Sequence, residues 1–391
     1  MNLVSELIFI LVFFCGAYLW LIALAGIRTS QRNGGAAPYN RFAIAIPAHN
    51  EENVIGWTIS TLNKLDYPRN LFDIYIVADH CTDCTAEIAR AHGAVCFERH
   101  GDERGSKGAA LRWLFPKIFA GNVAYDAVVV FDADTQADSR FLKAMNDHLN
   151  TGADVIQGKH VISNPREGWF PALTWAMMTI INRHNNQGRA NLGLSVNHMG
   201  DSICFRSPIL KEMGWGEGLT EDYEFRLQLL LSDIRIEYES RAIGYGQAPV
   251  TWKEALAQRL RWAKGSVEAG RLYRSQLLRN GIQQRDWSKL DGALGASMPS
   301  YSTLTLISGL FLLIHLLYWN RSWQWLTYSW GILAILLFVY PLFGLALEHA
   351  PGWAYLAILS GPVFMIWRTW LHVIVRLRPD GINWLRTPHR G

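Results

Sequence analysis

Three short runs put carboxylates where an apolar strand would end. Phe131-Asp132-Ala133-Asp134 closes the run Ala127–Phe131 with two acids one residue apart. Side chains two apart on extended backbone share a face. Asp132 and Asp134 can therefore meet one divalent cation, and hard oxygen ligands in that number suit Mg²⁺ or Mn²⁺ held jointly with a diphosphate. Asp-x-Asp after a strand is also ordinary turn chemistry. Ala78-Asp79-His80-Cys81-Thr82-Asp83 ends another strand and opens a helix, with Asp79 placed to accept hydrogen bonds from a base or ribose and Asp83 able to cap the helix. Pro47-Ala48-His49-Asn50-Glu51 ends the first strand in the same way, so three strand ends face a common crevice.

Further along the chain, Lys107 in Arg104-Gly105-Ser106-Lys107-Gly108 stands at a helix start, where free amides and the dipole favour an anion. The order of a Walker A loop is absent, and a solvated loop lysine is the plain alternative. Thr220-Glu221-Asp222 precedes the helical stretch Tyr223–Leu231. There the dipole is expected to keep Asp222 ionised and ready to take a proton from an attacking hydroxyl, although acids at helix starts are also common stabilisers. Gln258, Arg261 and Trp262 lie at i, i+3 and i+4 and share one face. An amide, a guanidinium that grips phosphate oxygens bidentately and an indole that covers a sugar ring would suit a diphosphate leaving site beside an acceptor. Cys81 and Cys84 form a C-x-x-C, but no second paired ligand set accompanies it, and incidental cysteines are the better reading than zinc.

The elements that must position these groups follow from the apolar pattern. Strands are expected at Phe42–Pro47, Asp73–Ala78, Ala94–Glu98, Ala127–Phe131 and Val155–Gly158, alternating with helices at Glu51–Lys64, Thr82–His92, Ser106–Ala120 and Asp138–Asn150. That alternation builds a mostly parallel sheet covered on both faces, with ligands at the carboxyl ends of its strands. Leu7–Ile27 is apolar enough for a transmembrane helix; Glu6 ahead of it and its length argue against a cleaved signal, and Arg28 and Arg32 place the next domain in the cytosol. From Trp252 onward, Leu256, Leu260, Ala263 and Val267 recur at helical spacing among Lys253, Arg259, Lys264, Arg271 and Arg274, the pattern of a basic helix on a membrane surface. Tyr301–Tyr318, Leu326–Leu347 and Trp353–Val375 follow. Three crossings would leave Arg376, Arg378, Arg386 and Arg390 outside, so the last segment, broken at Gly361-Pro362, is read as re-entrant or interfacial.

The chain divides accordingly into an anchor (1–32), a cytosolic domain (33–250), amphipathic interfacial helices (251–290) and a C-terminal region of transmembrane or re-entrant segments with a basic tail (291–391). A formal charge of +4 from 37 Lys+Arg against 33 Asp+Glu is too small for a nucleic-acid footprint.

Taken together these residues resemble the inverting family 2 glycosyltransferases of the GT-A fold, in particular the membrane branch that contains the cellulose and hyaluronan synthases. Asp79, Asp132/Asp134, Glu221-Asp222 and Gln258/Arg261/Trp262 match that family's signature in order, over roughly Arg41 to Gly265. The resemblance implies a Rossmann-like, mixed but mostly parallel sheet and a UDP-sugar donor. It implies that Pro47, Glu51, Asp79, Lys107 and Asp132 contact the nucleotide, that Asp132 and Asp134 meet metal, and that Asp222, beside Glu221, is the general base. Gln258 and Arg261 would hold the diphosphate, while Trp262, with Gly200 and Asp201, would face the acceptor. The expected product is a growing polysaccharide; a lipid or polyprenyl-linked acceptor is the alternative, because so few spans would struggle to enclose a polymer channel without an oligomer or an export partner. An inactive glycan-binding scaffold and a transporter are less favoured, since none of the signature acids is missing. The expected setting is a bacterial inner membrane.

Overall fold

The computed structural model describes residues 2–29, 37–101, 106–318 and 324–377. Arg32, Arg104, Gly105 and the basic tail from Arg378 lie outside them. Eight strands form one sheet: β1 (Phe42–Ala48), β2 (Phe72–Asp79), β3 (Val95–Arg99), β4 (Ala127–Val130), β5 (Gln136–Ala137), β6 (Val155–Ile162), β7 (Ile203–Arg206) and β8 (Ile236–Gly246). Their order is β3-β2-β1-β4-β7-β6-β8-β5. The first four are parallel; β7 runs antiparallel to both β4 and β6, and β6 is parallel to β8. The sheet is thus mixed and mostly parallel.

Alternation along β1 shows why it sits at the centre. Phe42, Ile44 and Ile46 enter one core with Ile55, Ile59, Phe131 and Met145, while Ala43 and Ala45 enter the other with Leu111, Phe115, Phe205 and Trp215. Small residues on the second face let the flanking helix approach closely. Helices α1 (Asn2–Ala25), α2 (Ile55–Leu62), α3 (Thr85–Ala91), α4 (Lys107–Phe119), α5 (Phe141–Asn150) and α6 (Trp169–Ile180) come first. A π-helical turn, Ile181–Gln187, continues α6 into α7 (Gly188–Asn191). Then come α8 (Ser207–Met213), α9 (Glu221–Leu231), α10 (Trp252–Gln284), α11 (Trp287–Ser297), α12 (Tyr301–Leu317), α13 (Gln324–Leu347), α14 (Gly352–Ile358) and α15 (Gly361–Leu377).

Among the described residues two helices are long and apolar enough to cross a membrane, α1 over Leu3–Ala25 and α13. The pairs α11–α12 and α14–α15 would add two more if each counts as one span, but they bend by 58° and 48° at their breaks. Val12 of α1 packs with Leu304, Trp330, Leu333 and Leu337 of α12 and α13, while Phe14, Ile335 and Phe338 stay exposed. Helix α10 differs from the surface helix its sequence suggests. Ala255, Ala263, Ala269 and Leu277 are buried, and it packs against α9, α11 and α15. Its exposed apolar residues, Leu272, Leu278 and Ile282, lie further along than the predicted stripe.

Candidate active site

The parallel register brings the ends of β1, β2 and β4 to one edge, and the antiparallel β7 starts there, so Gly200-Asp201-Ser202 arrives beside Phe131-Asp132. Backbone strain collects at the same edge: Asn50 after β1, His80 after β2, and Gly200 and Ser202 before β7 all have φ between 51° and 81°. Such conformations persist only where the surroundings enforce them, and they cluster at functional sites.

At the end of β2, Asp79 is buried, and its Oδ1 accepts from Arg99 (2.8 Å) and from the ring of His80 (2.9 Å). The backbone N–H of Glu51 donates to Thr85 Oγ1 at 2.8 Å, which ties the end of β1 to the start of α3. Pro47 pairs with Val77 inside the sheet. Lys107, at the first residue of α4, is no solvated loop lysine: its ammonium donates to Asp132 and to the carbonyl of Gly200. Burial alone would lower its pKa, but the charges of Asp132, Asp201 and Glu221 hold it above the usual lysine range, so it is a cation.

Asp201 is 1% exposed. Its Oδ2 accepts from Thr135 Oγ1 (3.0 Å) and His160 Nδ1 (2.8 Å), and its Oδ1 from the N–H of Asp132 (3.4 Å). Burial would raise its pKa, yet the His160 hydrogen bond and the nearby cations keep it low. Those partners make Asp201 the buried anchor of the β4 end rather than an exposed contact for an acceptor. Asp134 accepts from the N–H of Gln247 at 2.9 Å.

The acid pair opens α9, two residues ahead of the predicted helix start. A Cβ placed on Gly200 would stand 3.1 Å from Asp222 Oδ2, so the strand-end glycine lies directly against that carboxylate. The dipole does not settle the ionisation of Asp222 as its sequence position suggests. Burial raises its pKa, opposed by its bond from the Tyr223 N–H and by Lys107 and Arg261. Burial and the charge of Asp222 push Glu221 up to about 7. Arg261 acts on both acids electrostatically, and Gly265, one turn later on α10, meets Thr220 so closely that a Cβ there would be 2.3 Å from Thr220 Oγ1. Helix α10 is thereby seated on the start of α9. Gln258 and Trp262 are half-buried on the same helix, and Trp262 has the Arg259 guanidinium over its ring at 4.5 Å.

A model of the family described as "Glycosyltransferase like family 2" matches residues 38–265. The chain belongs to this family. Among curated relatives, the probable glycosyltransferase YdaM of Bacillus subtilis is 26% identical over 239 residues, 58% of this chain and 55% of that protein. The β-monoglucosyldiacylglycerol synthase of Nostoc sp. is 27% identical over 268 residues, 66% of this chain and 55% of that one. This family 2 chain thus spans about half the length of these relatives. Its fold is shared with a mannosyltransferase from Pyrobaculum calidifontis, solved with GDP-Man and Mn²⁺, at TM-score 0.53 and 16% identity over 86% of this chain and 99% of that one. The fold is GT-A, as the sequence implies.

Sequence reasoning missed the groups that hold this family 2 site in shape. Arg99, Thr135, His160 and His198 carry no motif. His198 Nδ1 accepts the Gly200 N–H at 2.9 Å, and burial, with Lys107 and Arg226 nearby, drives its pKa down to about 3, so it stays neutral. His160 lies on a stretch of β6 that the sequence reading ended at Gly158.

Proposed function

We propose that this chain is a membrane-bound, inverting hexosyltransferase that takes its sugar from a nucleotide diphosphate donor, a UDP-sugar in the first instance. The observation that carries the reading is the meeting of Asp132, Lys107, Gly200 and Asp222 at one sheet edge, with Arg261 in electrostatic reach. Glu51, Asp79 and Lys107 would receive the nucleotide there.

Asp132 and Asp134 would hold a divalent cation, Mg²⁺ or Mn²⁺. Among the described residues no group of three His, Cys, Asp or Glu is arranged to hold an ion. Two carboxylates with diphosphate oxygens and water completing the shell fit that fact and the octahedral demand of a small hard cation. The Mn²⁺ and GDP-Man of the Pyrobaculum enzyme support the pairing of ion and nucleotide. When bound, the ion would neutralise charge on the departing diphosphate.

Asp222 takes the proton of the acceptor hydroxyl as its oxygen attacks the anomeric carbon; the bond to the diphosphate breaks on the opposite side, and the anomer inverts. A carboxylate whose pKa is raised by burial is a better base near neutrality. Lys107 and Arg261 stabilise the charge that grows on the leaving oxygen, Gln258 holds the diphosphate, and Trp262, with Gly200, faces the acceptor.

For the acceptor we favour a lipid or lipid-linked hydroxyl at the cytosolic face of a bacterial inner membrane. The two to four candidate crossings among the described residues are too few for one copy to enclose a hydrated pore, and a β-monoglucosyldiacylglycerol synthase is among the relatives. A growing polysaccharide, made by an oligomer or with an export partner, is the second reading, favoured by the Gln258/Arg261/Trp262 motif. The test is to incubate the detergent-solubilised chain with UDP-Glc, UDP-GlcNAc and GDP-Man in Mn²⁺ or Mg²⁺, then follow nucleotide release and partition of label between the organic phase and polymer. Reaction with the GDP-sugar alone would overturn the donor, label in long polymer the acceptor, and no release from any donor the enzyme itself.

A further inference from the structure

Arg259 lies between Gln258 and Arg261 on α10, and sugar transfer gives it no task. It is 8% exposed, and its buried Nε and Nη2 have no hydrogen-bond acceptor. Its neighbours are rings: Cζ stands 4.5 Å from the centroid of Trp262, 5.7 Å from Phe364 and 5.9 Å from Phe170. Cation–π contacts offset only part of the cost of burying an ion. The charge nearest in effect has the same sign: burial and the cation of Arg368 bring Arg259 down to about 9.

Arg368, one turn beyond Phe364 on α15, lines a cavity of about 270 Å³ whose walls include Leu19, Met177, Tyr340, Ile358 and Phe364. These residues come from α1, α6, α13, α14 and α15, and α1 and α13 are, among the described residues, the two helices apolar and long enough for a membrane. Among the described residues no carboxylate pairs with Arg259 or Arg368. Arg368 lines this apolar cavity, and Arg259, outside the lining, stands 5.7 Å from the ring of its wall residue Phe364; two such cations call for an anion that carries an apolar tail.

We propose that this cavity seats an anionic lipid, with its phosphate at Arg368, where Arg259 adds its charge from beside the Phe364 ring, and part of its tail among the apolar walls. The volume falls just below the roughly 300 Å³ at which small-molecule pockets begin. Only a segment of tail fits, and the rest lies along Val363, Ile366 and Trp370, the exposed apolar residues of α15. The proposal concerns binding and stands apart from the transfer reading, since a lipid held here can be acceptor or effector.

The test uses the full chain, delipidated in detergent, with dioleoyl phosphatidate in mixed micelles as the probe and dioleoylglycerol micelles and inorganic phosphate as comparisons. Phosphatidate is expected to raise Tm, and the two comparisons are not. Arg259→Met and Arg368→Met are each expected to weaken the phosphatidate response by about tenfold or more in apparent affinity. Both variants should melt no lower than wild type without lipid, because Arg259→Met removes a buried charge with no carboxylate partner and Arg368→Met a half-buried one. Arg271→Met, at an exposed position, should respond like wild type. The proposal is overturned if inorganic phosphate or dioleoylglycerol reproduces the effect, if both Arg variants keep it, or if Arg271→Met loses it equally. Should Arg259→Met not fold, Arg368→Met alone decides. Loss of sugar transfer with lipid binding intact would count against the transfer reading only.

Discussion

Two adjacent acids with different surroundings divide the work of one site. Asp222 has Gly200 against its carboxylate, whereas Glu221 is 8% exposed and is pushed up to about 7 by burial and by the charge of Asp222. Replacing Asp222 by Asn removes the proposed base and leaves the volume nearly unchanged. Turnover is therefore expected to fall by about 10²–10⁴-fold, with UDP affinity kept within a few-fold, as labelled-sugar transfer and calorimetry would read. Glu221 makes a second, opposite statement about stability. Its folded pKa of about 7 lies above the ordinary 4.5. Between those values the unfolded chain has released a proton that the folded chain keeps, so stability falls as pH rises through this window. Glu221→Gln is expected to raise Tm at about pH 8 and to change it little at about pH 4. A gain of equal size at both pH values would show that packing, and not charge, is responsible.

At the scale of elements, one glycine decides how the site is assembled. Helix α10 can seat on α9 only because Gly265 has no side chain: a Cβ there would meet Thr220 Oγ1 at 2.3 Å and the Thr220 backbone N at 2.8 Å. Gly265→Ala must push the helices apart, at a cost of about 1–3 kcal/mol for overpacking, and carries Gln258 and Arg261 away from the acids. Transfer should drop more than UDP binding does. Gly295→Ala on α11 meets nothing within 4 Å, so its Tm should hold or rise. The same elements show what the chain makes legible. The parallel strands β1 and β4, and β2 from Ile74 to Ala78, are continuous apolar runs because both faces are covered, and their polar ends stand out in the sequence. Strand β7 is four residues long and its pairing is set by distant partners, and β8 mixes Glu239, Ser240 and Arg241 into its length, so neither shows a periodic signal. The motif residues of the site were readable; the buried hydrogen-bond partners of Asp79 and Asp201 were not, because a lone Arg99 or His160 acquires meaning only from the strand that pairs beside it.

Across the whole molecule, a buried ionic cluster on Asp291 joins the apolar helices to the sheet domain, besides the pairing of Glu348 with Lys159 and Arg183. Asp291 on α11 accepts from Arg189 Nε at 3.0 Å and from Arg226 at 3.4 Å, and Tyr18 of α1 donates to its other oxygen. Arg226 belongs to α9, one turn after Asp222, and also donates to the carbonyls of Val196 (2.8 Å) and Ser195 (3.2 Å). A single carboxylate thus holds the anchor helix, the end of the π-helical rod and the helix that presents the acid pair. Removing it leaves two guanidinium groups buried without an anion, a loss of about 3–5 kcal/mol in comparable pairs. Tyr18→Phe removes one neutral donor and is expected to cost on the order of 1 kcal/mol. Thermal melts of Asp291→Ala and Tyr18→Phe in the same detergent should rank in that order. Asp291→Ala should also lose transfer at temperatures where it is still folded, because α9 is no longer held to α1. If Asp291→Ala melts with wild type and transfers sugar at the wild-type rate, the apolar helices are a tether for the sheet domain and play no part in shaping its site.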